Sequence, residues 1–334
     1  SSSSLVALAA ARESALPEAR AEGLRAAPAG RVYTSQQAHS SIEKAVLTLG
    51  LGRTGTRPIE VDDAFRMRPE ALEAAIVSDL EAGVRPIAVV ATLGTTSTTS
   101  IDPVHEIAAI TERYGVWLHV DAAYGGPAAA VPELAPHFAG WERADSIVIN
   151  PHKWLFTPID CSILYSRDPE RIRAAFSLTP EYLRTREQGA GTNLMDYGVS
   201  LGRRFRALKL WFVLRWFGRE GIVARIREHC RLAAELASWV EAEPNWRLMA
   251  PCPMATVVLR WQPEGLDDEA VDALNDELME AVNRSGTAFL SHSKLNGRTV
   301  IRVSIGNLKT TEAHVRATWQ QLQAEARRLQ PTAG

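Results

Sequence analysis

Three residues stand out for the chemistry that their types and positions permit. Lys153 lies in Asn150-Pro151-His152-Lys153-Trp154, at the end of an apolar run at 146–153. An amine at the end of a buried strand is partly desolvated. Desolvation disfavours the ammonium form, lowers the pKa and makes the amine a nucleophile toward an aldehyde. An isolated lysine there would ordinarily be a solvated loop residue. Asp121, in His119-Val120-Asp121-Ala122-Ala123-Tyr124, also closes an apolar run. A carboxylate in that place has to be paired or hydrogen-bonded, because burying it alone is costly or neutralises it. A protonated ring nitrogen would satisfy it, and so, more plainly, would a capping role at the next segment. His39, in Gln37-Ala38-His39-Ser40-Ser41, could lay a flat ring over an aromatic cofactor, although a histidine so placed is more often a surface or capping residue.

These residues need elements to hold them. Residues 4–15 have helical composition, with serines in front as caps. The stretch 32–35 is a short strand candidate, 40–50 a helix that Gly50 can end, and 69–82 a further helix. The solid apolar runs 86–94, 116–124, 146–153 and 161–166 predict strands buried on both faces. A helix from Asp102-Pro103 to about Tyr114 separates two of them. Strands alternating with helices indicate an α/β fold with a mostly parallel sheet, whose ligand sites lie at the carboxyl ends of strands. Thr95-Thr96, Asp121 and His152-Lys153 all fall there. Beyond residue 203 the pattern changes to an amphipathic helix with apolar positions 205, 208, 212 and 216, and a helix at 221–242. Strands at 254–261, 287–295 and 299–306, a helix near 267–285 and a last helix at 311–328 complete a smaller α+β unit. We therefore expect a large domain at 1–204 and a small C-terminal domain at 205–334. Trp211, Phe212, Trp216 and Phe217 are expected in the core of their junction.

The bulk numbers exclude several classes. The chain has 334 residues, 46% hydrophobic, with 37 basic against 39 acidic residues and a net charge of −2. No basic footprint for nucleic acid and no charged tail is present. No apolar run is long enough to cross a bilayer. Cys161, Cys230 and Cys252 are odd in number and lack paired spacing, so no disulfide framework or metal site is expected, and a cytoplasmic setting is the default. Gly50-Leu51-Gly52-Arg53-Thr54-Gly55 matches a dinucleotide-binding fingerprint, but a helix precedes it where a strand is required. Glycines that end a helix and turn the chain explain it better. The opening Ser1-Ser2-Ser3-Ser4 runs at once into a helical pattern, as the interior of a longer protein would.

Five segments occur in one order: TSQQAHSSIEKA, VATLGTTSTTSID, WLHVDAAYGGPA, NPHKWLFTPIDCS and LGRRFRALKLWF. Together they resemble the aromatic-L-amino-acid decarboxylases, group II enzymes of pyridoxal 5′-phosphate (PLP) fold type I, across nearly the whole chain. That resemblance implies PLP as cofactor, with Lys153 as its Schiff-base lysine and Asp121 on the pyridine nitrogen. It places His39 on one ring face, Ala123 against the other and Thr96 along the site. Asn150 and His152 would help hold the phosphate. Ser1, with Ser2 beside it, aligns near the family's phosphate-binding turn at a helix N-terminus. Tyr182 falls where relatives carry the tyrosine that protonates the carbanion left by loss of CO₂. The polar stretch 184–193 after it is suited to a closing lid.

The resemblance also implies a small amino-acid substrate, aromatic by first expectation, and a homodimer. A phenylalanine at the Tyr182 position accompanies aldehyde formation in relatives, so Tyr182 and His39 favour plain decarboxylation to an amine. An aldehyde synthase, a decarboxylase of acidic amino acids and a catalytically silent homologue are the alternatives. The family's N-terminal segment, which builds much of its dimer interface, has no counterpart in these residues.

Overall fold

The computed structural model describes residues 1–178 and 193–330. Helix α1 (Ser2–Ala15) and the single turn α2 (Ala19–Glu22) precede strand β1 (Gly30–Ser35). Then come α3 (Ser41–Thr48), β2 (Thr56–Ile59), α4 (Pro69–Glu81), β3 (Arg85–Thr92), α5 (Val104–Tyr114) and β4 (Trp117–Asp121). They are followed by β5 (Ser146–Ile149), α6 (Pro151–Trp154), β6 (Ile163–Ser166) and α7 (Pro169–Phe176). The remainder holds α8 (Arg206–Ala242), β7 (Trp246–Leu248), β8 (Thr256–Trp261), α9 (Asp268–Ser285), β9 (Ser291–Leu295), β10 (Arg298–Ser304) and α10 (Glu312–Leu329).

Two sheets result. The first has the order β2-β1-β3-β4-β5-β6, parallel from β2 to β5, with β6 antiparallel at its edge. The second is antiparallel, in the order β7-β8-β10-β9. Strand β3 shows why the first sheet is central. From Pro86 to Thr92 every residue is buried, because helices cover both faces. On one face Val32, Ala88, Val90 and Trp117 pack against Leu8, Ala10 and Ala11 of α1. The small residues of α1 let its backbone lie close to the sheet. On the other face Val89, Ala91, Leu118 and Val120 meet Leu72 and Ile76 of α4 and Ile107 of α5. That core continues into the second sheet through Leu232, Val257 and Ile301.

Several expectations are corrected. The run at 146–153 is a strand only to Ile149, and residues 151–154 turn into the short helix α6. Pro151 stops the ladder, since it brings no N–H and fits the first turn of a helix. Strands β2 and β7 were not expected; each is short and carries an arginine. The amphipathic helix expected over 201–218 and the helix expected at 221–242 form one element broken at Gly218, which takes the left-handed φ of 61°. Phe205, Leu208, Trp211, Phe212 and Trp216 are exposed on its first part rather than buried at a junction, Trp216 at 83%. Phe217 alone of that group turns inward, edge-on to Phe156. Helix α5 starts at Val104, and Asp102 is not its cap. Asp102 is buried and accepts the N–H groups of Met67 and Thr92, each at 2.7 Å. The glycines at 50–55 follow α3 and lead into β2 through a single 3₁₀ turn, as expected of a turning segment.

Candidate active site

The carboxyl ends of β3, β4 and β5 and the start of α1 share one region. Asp121 is the last residue of β4 and is 6% exposed. Its Oδ1 accepts the Ala123 N–H at 3.0 Å. The Ala123 carbonyl accepts the Asn150 N–H at 3.1 Å, and the Asn150 carbonyl accepts the Lys153 N–H at 2.9 Å. A relay of backbone bonds thus fixes Lys153 relative to Asp121. The tight path after β4 depends on glycines: a Cβ on Gly125 would collide with the Leu93 carbonyl, and one on Gly126 would lie 2.7 Å from Ile149.

The turn α6 is pinned from below. Trp154 is 1% exposed and stacks on Tyr124, with ring centroids 4.7 Å apart and an interplanar angle of 3°. Its Nε1–H donates to Nδ1 of the buried His229 on α8 at 3.1 Å, and His229 Nε2 lies 3.2 Å from the Asn307 carbonyl. Accepting from Trp154 fixes the neutral His229 tautomer with its hydrogen on Nε2. Burial holds this imidazole below the usual histidine range.

His39 lies between β1 and α3. Its Nδ1 accepts the Ser41 N–H at 3.1 Å, so the neutral ring carries its hydrogen on Nε2. Partial burial and then the Lys153 ammonium push its pKa down, while the Asp121 carboxylate opposes them. The backbone nitrogen of Ser1 also lies within reach of the Asp121 and Lys153 charges. The structure therefore brings Ser1, His39, Asp121 and Lys153 within electrostatic reach of one another.

A second cluster suits an anion. Leu5 is the first residue of α1 to donate into its ladder, to Ser1, so the N–H groups of Ser2, Ser3 and Ser4 have no partner within the helix. Ser3 Oγ is 2.8 Å from Ser162 Oγ, which donates to Asn150 Oδ1 at 2.6 Å. This ties the helix start to the loop that carries Asn150 and leaves the amide nitrogen of Asn150 free to donate. The His152 ring is fixed by Nδ1 against the Cys161 backbone.

These residues fit PLP. Asp121 is a buried carboxylate for which no ion pair occurs among the described residues, so a protonated ring nitrogen would find it unpaired. An amine, a small residue at Ala123 and an N–H-rich helix start lie around it. Residues 1–262 match the family model described as the pyridoxal-dependent decarboxylase conserved domain. The chain belongs to the pyridoxal-dependent decarboxylase family. It is 40% identical to a phenylacetaldehyde synthase of Arabidopsis thaliana over 96% of this chain and 66% of that protein. It is also 40% identical to tyrosine decarboxylase 2 of Arabidopsis thaliana, over 88% of this chain and 55% of that protein. The chain thus spans less than two thirds of the length of either relative. Among solved structures, Oryza sativa TDC with PLP and tryptamine superposes with a TM-score of 0.93 at 35% identity, covering 98% of this chain and 69% of that one. The fold is PLP fold type I, and PLP is the cofactor of this family.

Within this family member, some expected placements differ. Lys153 sits one helical turn beyond its strand and is exposed, so burial does not explain its reactivity. What singles it out is that its charge acts on the His39 ring, as the Asp121 carboxylate also does. Thr96 is exposed, while its neighbour Thr95 is buried and bonded through Thr98 to Ser100 at 2.9 and 2.6 Å. Tyr182 and residues 184–192 lie outside the described residues.

Three features escaped the sequence reading. Arg302 of β10 donates to the Ser97 carbonyl, Ser291 Oγ and Ser304 Oγ, tying the loop that bears Thr96 to the second sheet. Ser97 is 205 positions away, so no local signal could have found that contact. Asp102 locks β3 to the loop at Met67. Burial pushes its pKa up to about 6, against the two N–H groups that it accepts. His119, two residues before Asp121 on β4, is fully buried.

Proposed function

We propose that this chain carries the site of a PLP-dependent decarboxylase that converts an aromatic L-amino acid to the corresponding amine and CO₂. The observation that carries the reading is Asp121: a buried carboxylate without an ion pair among the described residues, whose charge, like that of Lys153, is felt at the His39 ring. When bound, PLP supplies an electron sink for the pair released as a bond at the amino-acid α-carbon breaks. Lys153 provides the amine that anchors its aldehyde. Asp121 holds a proton at the pyridine nitrogen. His39, neutral and protonated on Nε2, covers one ring face, and Ala123 keeps the other free of bulk. Ser1 and the first N–H groups of α1, from Ser2 on, take the phosphate together with Asn150 and His152. Thr96 lines the mouth, and Tyr182 delivers the proton to the α-carbon.

In this reading the large domain is 1–204 and the small domain 205–334. The substrate is a small amino acid, and the working form is a homodimer, which would cover the exposed apolar face of α8. No helix of the described residues is long and apolar enough to cross a membrane. The three free thiols fit a reducing, cytoplasmic setting.

One relative is an aldehyde synthase, so the products decide the outcome. The purified protein is mixed with PLP and, singly, L-tryptophan, L-tyrosine, L-phenylalanine, dihydroxyphenylalanine and glutamate, and products are identified by mass. An aromatic amine with CO₂ is expected. An aldehyde with ammonia and peroxide would overturn the argument from Tyr182 and His39. An amine from glutamate alone would overturn the substrate class.

A further inference from the structure

The underside of Asp121 holds two buried donors that no role so far uses. Trp117, His119 and Asp121 alternate along β4 and share the sheet face that packs on α1, where Trp117 joins the α1 core. Ser146 of β5 stands directly beside His119. Its Oγ accepts the Trp117 Nε1–H at 2.9 Å and lies 2.8 Å from His119 Nδ1. Indole N–H is a donor only, so the single hydroxyl hydrogen of Ser146 is free to go to His119 Nδ1. Nδ1 is then the acceptor and Nε2 carries the ring hydrogen. That Nε2 is buried without a hydrogen-bond partner. On the other side, Thr92 of β3 is registered directly opposite Asp121, and its Oγ1 is likewise buried without a partner.

Unpartnered buried donors are rare, and each asks for a reason. Here two of them neighbour one buried carboxylate, which has a single N–H bond, to Oδ1, among the described contacts. A carboxylate can accept about four hydrogen bonds. We propose that His119, with Thr92, forms a donor cradle beneath Asp121 that keeps its carboxylate ionised and aimed when it meets the ring nitrogen of PLP. His119 is a positioning residue in this scheme: it acts through Asp121 and does not touch the cofactor. Its neutrality matters, since an imidazolium would compete with the ring nitrogen for the same carboxylate. Burial enforces that neutrality, pushing the His119 pKa down to about 4 despite the nearby Asp121. In the proposed cradle the Ser146 hydroxyl, holding the Trp117 N–H, donates to Nδ1 and so selects the tautomer with its N–H on Nε2.

The proposal rests on the reading that Asp121 serves the pyridine nitrogen, and the test separates the two. Apo-protein is prepared as wild type, His119→Phe and His119→Gln, the last restoring an N–H at similar reach. Three quantities are measured: thermal midpoint without cofactor, dissociation constant for PLP, and the absorbance band of bound PLP against pH. A lost hydrogen bond to a charged group predicts PLP binding weaker by about 10-fold or more in His119→Phe, with a displaced band. His119→Gln should recover both to within about 3-fold of wild type on the same reasoning. If His119→Phe lowers only the cofactor-free midpoint and leaves the constant and the band unchanged, His119 is merely structural and the proposal falls. If the phenylalanine variant does not fold, ¹⁵N-histidine spectra of wild type decide. A neutral Nε2–H resonance that moves on adding PLP is expected, and one that does not move overturns the cradle. Wild type that fails to bind PLP at Lys153 would instead remove the underlying reading of the site.

Discussion

Replacing Trp154 by phenylalanine should cost both stability and cofactor retention, because this residue joins the turn that carries Lys153 to α8. Trp154 is 1% exposed and fills the floor beneath α6. Phenylalanine keeps a ring against Tyr124 but removes the Nε1–H, leaving the buried His229 Nδ1 without its donor. An unsatisfied buried acceptor costs about 1–3 kcal/mol, and a smaller ring gives up part of a stack worth about 0.5–1.5 kcal/mol. The sum is roughly 2–4 kcal/mol. With an unfolding entropy of about 2.1 cal/mol/K per residue over this chain, the midpoint should fall by roughly 3–6 °C. Differential scanning calorimetry of the apo-protein reads that shift. A PLP titration reads the second effect, since α6 is only four residues long and carries Lys153 next to Trp154. His229→Leu should rescue part of the loss, because replacing both partners by apolar groups removes the unsatisfied acceptor. A Trp154→Phe variant with an unchanged midpoint and unchanged PLP retention would refute the claim that this bond anchors the lysine.

Further outcomes follow from the same geometry. Lys153→Ala should abolish covalent retention of PLP after borohydride reduction, and mass spectrometry of wild-type peptides should place the reduced adduct on Lys153. Asp272→Ala would leave Arg260, which is 0% exposed and bonded to Asp272 and the Thr299 carbonyl, with only the longer contact to Asp268 as an ion pair. Breaking a buried pair costs about 3–5 kcal/mol, which should show as a lower denaturation midpoint with the PLP site intact. The native pKa of His119 is about 4, against 6.5 unfolded. The unfolded chain therefore takes the proton first, and stability present above pH 6.5 drains as pH falls toward 4, by up to roughly 3 kcal/mol. The stability difference between wild type and His119→Phe, measured by urea titration, should shrink across that window. Asp102 acts with opposite sign: its native pKa of about 6 exceeds its ordinary 3.8, so its ionisation penalty is relieved as pH falls from 6 toward 4.

Much of the frame was legible in the sequence because its strands are buried on both faces. Residues 86–92 and 117–121 are solid apolar runs, and nothing but a covered parallel sheet accommodates them. Strand β2, with Arg57 and Pro58, gave no such signal, because an edge strand of four residues needs neither alternation nor bulk. The chemical residues were legible as types at strand ends, but their environments were not. Lys153 was expected to be desolvated, and one proline moved it a helical turn into the open. The periodic stripe on α8 marked a face correctly yet could not say what covers it. Arg302, Asp102 and the Trp154–His229 bond depend on contacts between segments far apart in the chain, which periodicity does not record.

The site is built from groups that the folded chain leaves underused. Asp121 is buried without a cation, three N–H groups at the start of α1 lack helical partners, and two donors beside Asp121 lack acceptors. The carboxylate and the helix start would be answered by the ring nitrogen and the phosphate of PLP, and the two donors by Asp121 itself. Asp121→Asn tests this coupling directly. It removes the uncompensated charge, so the apo-protein should melt no lower than wild type, and higher if the penalty is large. The same change deletes the partner of the pyridine nitrogen, so PLP should bind at least about 10-fold more weakly, as expected for loss of a charged hydrogen bond. Ligand linkage then predicts a crossing. At PLP near 100 times its wild-type dissociation constant, wild type gains about 2.7 kcal/mol and the asparagine variant gains at least about 1.3 kcal/mol less. Equal gains in the two proteins would mean that Asp121 does not face the cofactor nitrogen, and its burial would need another cause.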